Sequence, residues 1–454
     1  MKTSKQFTFT CLLAIVALFC LFTFVFISCY ERTNNELDSM LKELPANTAD
    51  NPHIIKLDVS SLEGFGLAFQ ANWGKYVYLD LSDSTFTSIG KSAFYTRDNL
   101  TGLSIPNSVT KIWYEAFAHC TSLTDITIPN SVTDIGYGPF SACTSLMSIS
   151  VADDNPAYSS ADGILYNKDK TALLQCPGGK TGTVNIPNSV TSIERGAFMG
   201  CVSLTGITIP DSVTSIEGEV FYACTSLVSI SVAGGNTVYS SVDGMLYNKD
   251  KSVLLQCPEG KTTVIIPDSV TNIEERAFLG CTNLVNIIIP NSVISIGEEA
   301  FKDCNKLADV IIGNSVTSIG KHTFDGCNSL ANVTIGNSVT SIGAYAFFGC
   351  TSLANVTIGN SVENIRYGAF DYTGLTNITI PDSVISLENR AFYSENLVRV
   401  TFEGTIPSSG FYFYSNIRST LSPFRGDLRD KYFAANGGPG MYTRAPPNTV
   451  WTKQ

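Results

Sequence analysis

Charged side chains are scarce in this sequence, and basic ones are outnumbered. Of its 454 residues, 15% are charged, and 29 Lys and Arg against 40 Asp and Glu give a formal net charge of −11. Proteins that bind nucleic acid present a basic patch to the phosphate backbone. This balance therefore excludes a nucleic-acid partner. Ser, Thr, Asn and Gly occupy most of the polar positions.

Histidine is almost absent, with only His53, His119 and His322, which lie far apart in the chain. A His-rich metal site or a Ser–His–Asp triad therefore has little material to build from. No phosphate-cradling Gly loop, zinc-ligand spacing or paired-carboxylate motif is present either. We expect no catalytic site, no cofactor and no metal, and interpret the protein as a non-enzyme.

The N-terminus holds a long apolar run, at residues 7–27, which Lys2 and Lys5 precede. Ser28 and Cys29 follow it, and this pattern resembles a bacterial lipoprotein signal, in which the cysteine is lipidated and becomes the new N-terminus. The alternative is an uncleaved transmembrane anchor, because the run approaches the ~20 apolar residues that span a bilayer. Either interpretation exports the rest of the chain and tethers it to a membrane.

A 23-residue unit recurs along the chain. One copy reads IPNSVTDIGYGPFSACTSLMSIS at residues 128–150, and another reads IGNSVTSIGAYAFFGCTSLANVT at residues 335–357. A fixed period of this length predicts a solenoid and not a globular enzyme. Each unit is too small to bury its own apolar face, so it becomes stable by stacking on its neighbours.

Apolar residues within a unit indicate how it folds. Ile126 and Ile128 point inward and Thr127 outward, which predicts a short parallel strand that ends at Pro129. One phenylalanine per unit is expected to fill the interior from a single helical turn. It recurs in steps of 23 residues, except for steps of 58, 57 and a final 22, at Phe94, Phe117, Phe140, Phe198, Phe221, Phe278, Phe301, Phe324, Phe347, Phe370 and Phe392.

Each long step contains an added segment, YSSADGILYNKDK from residue 158 and YSSVDGMLYNKDK from residue 239. Two apolar runs flank Asn-Lys-Asp-Lys, which predicts a hairpin with a four-residue loop. We therefore expect eleven plain units and two enlarged coils. The predicted domains are a signal peptide (1–28), a lipid-anchored tether (29–51), an N-terminal cap (52–82), the solenoid (83–405) and a C-terminal cap (406–454).

Cysteine follows the same period, at Cys120, Cys143, Cys201, Cys224, Cys281, Cys304, Cys327 and Cys350. Export favours disulfides, and stacked units lie ~5 Å apart, near disulfide range, but their side chains would run parallel and point inward. Cysteine is also among the residue types most often buried. We favour a buried ladder of free thiols over disulfides. Cys176 and Cys257 are expected to pack under the hairpins.

One outward position of the strand is the candidate for binding. It is polar in most units, but Ile265, Ile288 and Ile311 occupy it in three consecutive units, and Asn286 and Asp309 lie two residues earlier. An exposed apolar stripe beside polar residues is a candidate partner-binding site. The alternatives are that β-branched residues merely favour a strand surface, or that a hairpin folds over them.

Two short motifs have simpler interpretations. The Asp-Asp-Asn at residues 153–155 could bind calcium, but the second copy reads Ala-Gly-Gly-Asn at residues 233–236, so we expect a plain loop. The Arg-Gly-Asp at residues 425–427 spells a tripeptide that integrins read in exposed loops. The residues after it predict a helix with Asp427 as its N-cap, so the carboxylate would already be engaged.

The unit I-P-x-S-V-T-x-I-x-x-x-A-F-x-x-C-x-x-L-x-x-I-x-I resembles the BspA-like, treponemal-type leucine-rich repeat over about residues 83–405. The segment GDLRDKYFAANGGPGMYTR resembles a capping segment of such proteins. The resemblance implies a β-rich solenoid of the α/β leucine-rich-repeat class. In it, 23-residue coils form a right-handed stack with one parallel sheet on the concave face, short helical turns and two hairpin-containing enlarged coils.

The same resemblance implies a bacterial surface protein, and some members of the family bind host extracellular-matrix or plasma proteins, or other microbes. We therefore interpret the chain as a leucine-rich-repeat protein that is lipid-anchored through Cys29 at the cell surface, in the outer membrane. It would bind protein ligands or mediate adhesion. The alternative is a passive structural coat or spacer without a specific ligand, because Asn, Thr and Ser on the outer columns also suit a merely solubilised surface.

Overall fold

The computed structural model describes residues 35–412, 422–445 and 448–454. The predicted signal segment of residues 1–28 and the candidate lipidation site Cys29 lie outside the described residues. The chain forms a β-solenoid of about 15 coils of about 23 residues. The solenoid that the sequence period predicts is confirmed.

The elements up to residue 151 are α1 (Asn35–Glu43), β1 (His53–Lys56), α2 (Phe65–Ala71), β2 (Val77–Asp80), β3 (Ser88–Ile89), β4 (Leu100–Ser104), β5 (Lys111–Ile112), β6 (Asp125–Ile128), β7 (Asp134–Ile135) and β8 (Ser148–Val151). The middle elements are β9 (Tyr158–Ala161), β10 (Ile164–Asn167), β11 (Ala172–Gln175), β12 (Gly182–Asn185), β13 (Ser192–Ile193), β14 (Leu204–Ile209), β15 (Ser215–Ile216), β16 (Ser229–Val232), β17 (Tyr239–Val242), β18 (Met245–Asn248) and β19 (Val253–Gln256).

The remaining elements are β20 (Asn272–Ile273), β21 (Asn286–Ile289), β22 (Ser295–Ile296), β23 (Asp309–Ile312), β24 (Ser318–Ile319), β25 (Asn332–Thr334), β26 (Ser341–Ile342), β27 (Asn355–Thr357), β28 (Asn364–Ile365), β29 (Asn377–Ile380), β30 (Ser386–Glu388), β31 (Arg399–Phe402), a 3-10 turn (Ser408–Gly410), β32 (Phe411–Tyr412), α3 (Leu428–Phe433), β33 (Gly440–Thr443) and β34 (Thr452–Lys453).

The N-terminal cap begins earlier than the sequence predicts. Leu37 and Leu41 of α1 are buried in one core cluster with Phe65 and Phe69 of α2. Strand β1 then pairs in parallel with β2, and β2 pairs with β4. Residues 35–43, which the sequence analysis assigns to a tether, are therefore part of the packed cap. The amphipathic spacing of Leu37 and Leu41 is the signal for this helix.

The first side of each coil is the predicted parallel strand. Ile126 pairs with Ile149, and β21, β23, β25 and β27 pair in parallel at the 23-residue register. In β23, Val310 and Ile312 are buried, whereas Asp309 and Ile311 face outward. This alternation fixes the register, because a one-residue slip would expose the buried set.

A second parallel ladder runs along another side of the coil, so the prediction of one parallel sheet was incomplete. Its strands are Ser-Ile or similar dipeptides, and Ile296, Ile319 and Ile342 are successive register partners. Two residues are too few to show an alternating pattern in the sequence. These dipeptides count as strands because each pairs with the equivalent dipeptide of the neighbouring coil.

The third side of each coil carries the phenylalanine, and it is not the helical turn that the sequence predicts. The N–H groups of Phe324 and Gly326 donate to carbonyls of the next coil at 2.7 Å and 2.9 Å. Those of Asp325 and Cys327 donate within the coil to carbonyls three residues earlier, both at 3.2 Å. His322 and Gly326 have left-handed φ angles of 53° and 74°. Left-handed residues interrupt a right-handed helix, so the turn forms a third hydrogen-bonded ladder.

The phenylalanine column predicted from the sequence is confirmed. Successive rings stack face to face, with centroids 4.6 to 5.8 Å apart, from Phe94 to Phe140, from Phe198 to Phe221 and from Phe278 to Phe392. Phe424 of the C-terminal cap continues the last stack on Phe392 at 5.5 Å. Offset stacks of this kind stabilise beyond the area they bury.

The two predicted hairpins are present, and each contains an additional strand. Strands β10 and β11 are antiparallel around a four-residue loop, and β9 pairs with β10 on its other edge. Ile164, Leu165 and Tyr166 of β10 are all buried. Leu165 packs against the N-terminal core cluster, whereas Ile164 and Tyr166 pack against the middle one. Strand β18 separates the middle and C-terminal clusters in the same way.

Both strand ladders stop where a hairpin enters. The Ser-Ile ladder is divided into β3-β5-β7, β9-β10-β11-β13-β15 and a ten-stranded sheet that begins at β17. At the first break, the hydroxyl of Tyr158 accepts a hydrogen bond from the N–H of Ile135 at 2.8 Å. At the second, Tyr239 accepts one from Ile216 at 3.1 Å. The tyrosine hydroxyl thus satisfies a strand end that has no next strand.

The cysteine ladder consists of free thiols, as predicted. All ten cysteines in the described residues are buried and unpaired. The Sγ of Cys143 donates to the carbonyl of Phe117 in the preceding coil at 3.0 Å, and Cys350 donates to Phe324 at 3.1 Å. Burial raises the pKa of Cys350 well above its usual range. A thiol suits this position because it is a small hydrophobe with a weak donor.

Cys176 and Cys257 do more than pack under the hairpins. The thiol of Cys201 points to the carbonyl of Cys176 at 3.8 Å, as other cysteines point to a phenylalanine carbonyl. Cys281 points to the carbonyl of Cys257 in the same way. Cys176 and Cys257 therefore take the place of the phenylalanine in the enlarged coils, which explains the two gaps in the stack.

Replacing Phe324 by alanine should destabilise the solenoid by ~3–5 kcal/mol, because the change opens a cavity between two stacked rings. Phe324 is fully buried, between Phe301 and Phe347. The measurement is urea denaturation of the full chain. Tyr372→Ala, at an exposed position on the same side of a later coil, is the control and should change stability little. Equal stability of the Phe324→Ala variant and the unchanged chain would contradict the stacked column.

The ten buried thiols should resist modification until the chain unfolds, because only the thiolate reacts and burial disfavours it. A thiol reagent such as dithionitrobenzoate should react slowly with the native chain and with all these cysteines in guanidinium chloride. Adding a reductant before denaturation should leave the number of reactive thiols unchanged. An increase in that number on reduction would reveal disulfides and contradict the ladder.

Candidate binding surface

The candidate stripe lies on the outward face of the first strand ladder. Ile288 of β21 and Ile311 of β23 are direct register partners, and their side chains are 63% and 59% exposed. The next partner in the column is Thr334, where the stripe ends. Asn286 and Asp309 are also register partners and flank the two isoleucines. The structure therefore brings four of the five predicted residues together on one surface.

Ile265 lies apart from this paired set. Its side chain is 81% exposed, but residues 261–267 form no strand and do not pair with β21. This segment follows the second hairpin coil, where the ladder is interrupted after β16. The sequence predicts three consecutive isoleucines in one column. In the structure two are paired, and the third precedes them on an unpaired segment.

Two further apolar residues belong to the coil of β21, and the sequence analysis missed both. Val285 and Ile294 are exposed. Neighbouring coils have Ala308 and Thr317 at the same two positions. Comparing these columns in the same way as the isoleucine column would have found them. The coil of β21 thus departs from its neighbours at two further outward positions, and both changes make its surface more apolar.

In later coils of the solenoid, polar side chains of the column beside the stripe form a hydrogen bond to each other. Asn332 and Asn355 follow Asp309 in register. The Nδ2 of Asn355 donates to the Oδ1 of Asn332 at 2.9 Å. Such a ladder satisfies side-chain groups within the protein. Asp309 ends it with a carboxylate at the stripe, so polar and apolar columns meet there.

A cleft of about 490 Å³ lies beside the first hairpin. Asp162, Lys180 and Asn185 are among its lining residues, and β12 is the last strand of its sheet on this side. At the second hairpin the equivalent Lys261 and Asp243 form an ion pair of 3.1 Å. The two hairpin coils, although nearly identical in sequence, therefore present different surfaces. Both copies carry the same lysine and aspartate, but the first copy is one residue longer and has Gly178 where the second has Glu259.

One carboxyl group is buried beside the second hairpin. Glu259 follows Cys257 and Pro258, where the first hairpin coil has Gly178. Its Oε1 accepts a hydrogen bond from the N–H of Ala223 at 2.6 Å. Burial raises the pKa of Glu259 to about 8, although that hydrogen bond lowers it. The folded chain therefore holds this carboxyl group largely protonated at neutral pH.

The acidic motif at residues 153–155 is part of a structural loop, because Asn155 is fully buried. Its Nδ2 donates to the carbonyls of Pro129 and Val132 at 2.7 Å and 2.9 Å, and Asn236 makes the equivalent bonds in the second copy. No group of three or more His, Cys, Asp or Glu that could hold a metal ion is found within the described residues.

The Arg-Gly-Asp tripeptide lies where α3 begins. Asp427 occupies the predicted N-cap position, but its carboxylate caps no N–H of the helix. It accepts a hydrogen bond from the N–H of Trp451 at 2.7 Å and forms an ion pair of 4.0 Å with Lys431. Arg425 forms an ion pair with Glu395. Both charged side chains of the tripeptide are thus engaged within the protein.

The stacked coils, the repeated apolar columns and the parallel ladders define a leucine-rich-repeat solenoid. The model of the BspA type leucine-rich repeat region matches residues 71–161, 179–263, 251–374 and 317–426, in 6 copies. These matches cover more than half of the chain, so the chain belongs to this family. None of the curated proteins matches it.

Several solved structures are similar to this chain. A leucine-rich repeat protein from Eubacterium ventriosum is 21% identical, with a TM-score of 0.47, over 76% of this chain and 90% of that chain. A protein from Faecalibacterium prausnitzii, described as a leucine rich cell surface protein, is 27% identical, with a TM-score of 0.42, over 66% and 84%. The pneumococcal vaccine antigen PcpA is 20% identical, with a TM-score of 0.46, over 74% and 78%.

In the part of the chain that the structure describes, no helix has the length and apolar character needed to cross a membrane.

Glu259 should make the stability of the fold depend on pH. An unfolded Glu has a pKa near ~4.3, so between about pH 4 and pH 8 the folded state holds a proton that the unfolded state has lost. The contribution of the neutral carboxyl group is therefore complete below pH ~4, falls as pH rises and is lost above pH ~8. One unit of difference between the two pKa values corresponds to about 1.4 kcal/mol.

We expect Glu259→Gln, which keeps the acceptor for Ala223, to flatten the pH dependence of the urea midpoint across this range. Glu363→Gln, at an exposed position, is the control and should keep the slope of the unchanged chain. Identical slopes for the Glu259→Gln variant and the unchanged chain would show that Glu259 is ionised in the folded state.

Proposed function

We propose that this chain is a surface-anchored leucine-rich-repeat protein that binds a protein ligand through the outward face of β21 and β23. Its ligand would be a host extracellular-matrix or plasma protein, or a surface protein of another microbe. The membership of the BspA type family supports this class of function. The proposal assigns no catalytic role and no cofactor to the chain.

The observation that carries the proposal is the paired isoleucine surface. Ile288 and Ile311 project side by side from a parallel ladder, and Val285 and Ile294 are further exposed apolar residues of the same coil. Neighbouring coils fill these positions mostly with Thr and Ala, so the fold itself does not require apolar residues there. An apolar area with a polar rim is typical of protein-binding sites. Asn286 and Asp309 supply that rim.

The proposed location is the bacterial cell surface, with Cys29 lipidated in the outer membrane. The Ser28-Cys29 sequence after an apolar run supports this anchor, and retention of residues 7–27 as a transmembrane anchor is the alternative. Ile265 is proposed as a peripheral contact, because it is highly exposed and precedes the paired residues by one unit.

A passive surface coat is the second candidate. The hydrogen bond between the side chains of Asn332 and Asn355 favours it, because polar groups that bond to each other need no ligand. The ligand-binding proposal differs from the coat in one respect that can be tested: it makes the two isoleucines necessary for capture of a partner.

Replacing Ile288 and Ile311 by threonine should weaken partner binding and leave the fold intact. Thr334 occupies the next position of the same column, so the ladder accepts threonine without loss of pairing. Burial of an isoleucine side chain contributes ~1.5–3 kcal/mol, so the double variant should bind at least about tenfold more weakly. The measurement is biolayer interferometry of the exported chain against immobilised extracellular-matrix and plasma proteins.

Ile385→Thr makes the same exposed substitution in a distant coil and should bind like the unchanged chain. Unaltered affinity of the double variant for a captured ligand would refute the site. If no ligand in the panel or on intact microbial cells binds the unchanged chain, the passive coat is the better account.

A further inference from the structure

The N-terminal cap carries an apolar face that the proposed binding surface does not use. Leu67 of α2 is 71% exposed, and Trp73, two residues after the helix, is 83% exposed. Ala71 is exposed one helical turn beyond Leu67, on the same side of α2. The opposite side of α2 is buried through Phe65 and Phe69. The helix is therefore apolar on both sides, and only one side has a partner within the fold.

This face is adjacent to the point where the chain enters the cap. The Nδ2 of Asn72 donates to the Oδ1 of Asp38 at 3.0 Å. That hydrogen bond ties the end of α2, immediately before Trp73, to the first turn of α1. Because Leu37 and Leu41 are buried, the chain is held in the cap from α1 onward.

The number of residues between the proposed membrane anchor and α1 limits the distance between the membrane and the N-terminal cap. Six residues lead from Cys29 to Asn35, where α1 begins. An extended chain spans at most ~3.3–3.6 Å per residue, so this connection reaches about 20 Å. A bilayer that holds a lipid on Cys29 therefore lies within about 20 Å of the start of α1. If residues 7–27 span the bilayer instead, eight residues lead to Asn35, and the bilayer lies within about 28 Å.

We propose that Leu67, Ala71 and Trp73 form a membrane-contacting face that seats the N-terminal cap on the lipid surface. The proposal rests on the membrane anchor of the proposed function and adds a second contact to it. Tryptophan prefers the boundary between headgroups and acyl chains, because its ring is apolar and its N–H is polar. Leu67 and Ala71 would bury their apolar area beside it.

The net charge of the cap indicates that the membrane contact is apolar and not electrostatic. Residues 35–76 contain six Asp and Glu and three Lys. Anionic lipids attract polybasic segments, and the cap offers none. The seat on the membrane therefore depends on apolar burial, and neutral phosphatidylcholine vesicles are the appropriate probe. Contact should be insensitive to salt, because screening weakens charge attraction and not apolar burial.

Tryptophan fluorescence tests the proposal on the full chain, made in a bacterial host that processes lipoproteins and reconstituted in phosphatidylcholine vesicles. The chain has three tryptophans, and Trp451 is buried in the C-terminal cap. Trp113→Phe leaves Trp73 as the exposed reporter. Trp73→Phe leaves Trp113, which is 40% exposed on the solenoid, as the matched control.

The Trp73 reporter should lose emission when the vesicles contain phosphatidylcholine brominated near the headgroup, and it should become shielded from aqueous iodide. The Trp113 reporter should show neither effect. Leu67→Gln in the Trp73 reporter should reduce the quenching by brominated lipid. The quenching should persist at high salt.

Flotation of the chain with the vesicles tests the membrane anchor separately from the contact made by Leu67, Ala71 and Trp73. If the chain floats but brominated lipid quenches both reporters equally or neither, the seat is wrong and the anchor stands. If the chain does not float, the anchor fails and the seat fails with it. Shielding of Trp73 from iodide without quenching by brominated lipid would assign this face to a protein partner or a second copy of the chain, and would overturn the membrane contact.

Discussion

The structure depends on hydrogen bonds between equivalent residues of neighbouring coils. Each coil is too short to satisfy its own backbone groups, so its strand, its Ser-Ile dipeptide and its phenylalanine turn all bond to the coils before and after. Because these bonds join residues one repeat apart, they also stack the phenylalanines of consecutive plain coils and place most of the cysteines near a phenylalanine carbonyl. The packing of the core therefore follows from the pairing of equivalent residues in neighbouring coils, and no single contact determines it.

The outward columns have more freedom, because the register constrains only the backbone and the inward side chains. Positions such as those of Ile288 and Ile311 can change without cost to the ladder, as Thr334 in the same column shows. Buried positions allow less variation, and a carboxyl group such as that of Glu259 is tolerated there by holding a proton. The surface that we propose for recognition is thus built from residues that the fold leaves unspecified.

The period in the sequence was sufficient to predict the solenoid, the stacked phenylalanines, the free thiols and the presence of both hairpins. It did not predict the Ser-Ile ladder, whose strands are too short for a pattern, or the left-handed turns, which depend on backbone angles at residues as different as His322 and Gly326. The exposure of Ile288 and Ile311 followed from strand alternation. The separation of Ile265 did not, because the hairpin interrupts pairing several residues away. The different surroundings of Lys180 and Lys261 were not predicted either, although the two copies differ by one residue in length and have Gly178 against Glu259.

The two hairpins have a mechanical consequence for the solenoid. An array with uniform interfaces transmits load evenly from coil to coil. Here both strand ladders stop at each hairpin, and β10 and β18 divide the core into three separate lengths. Load along the solenoid would concentrate at these two joints, whereas the Ser-Ile ladder runs unbroken from β17 to β32 past the coil of β21. The outward face of β21 and β23 that we propose for binding lies in the longest of the three lengths.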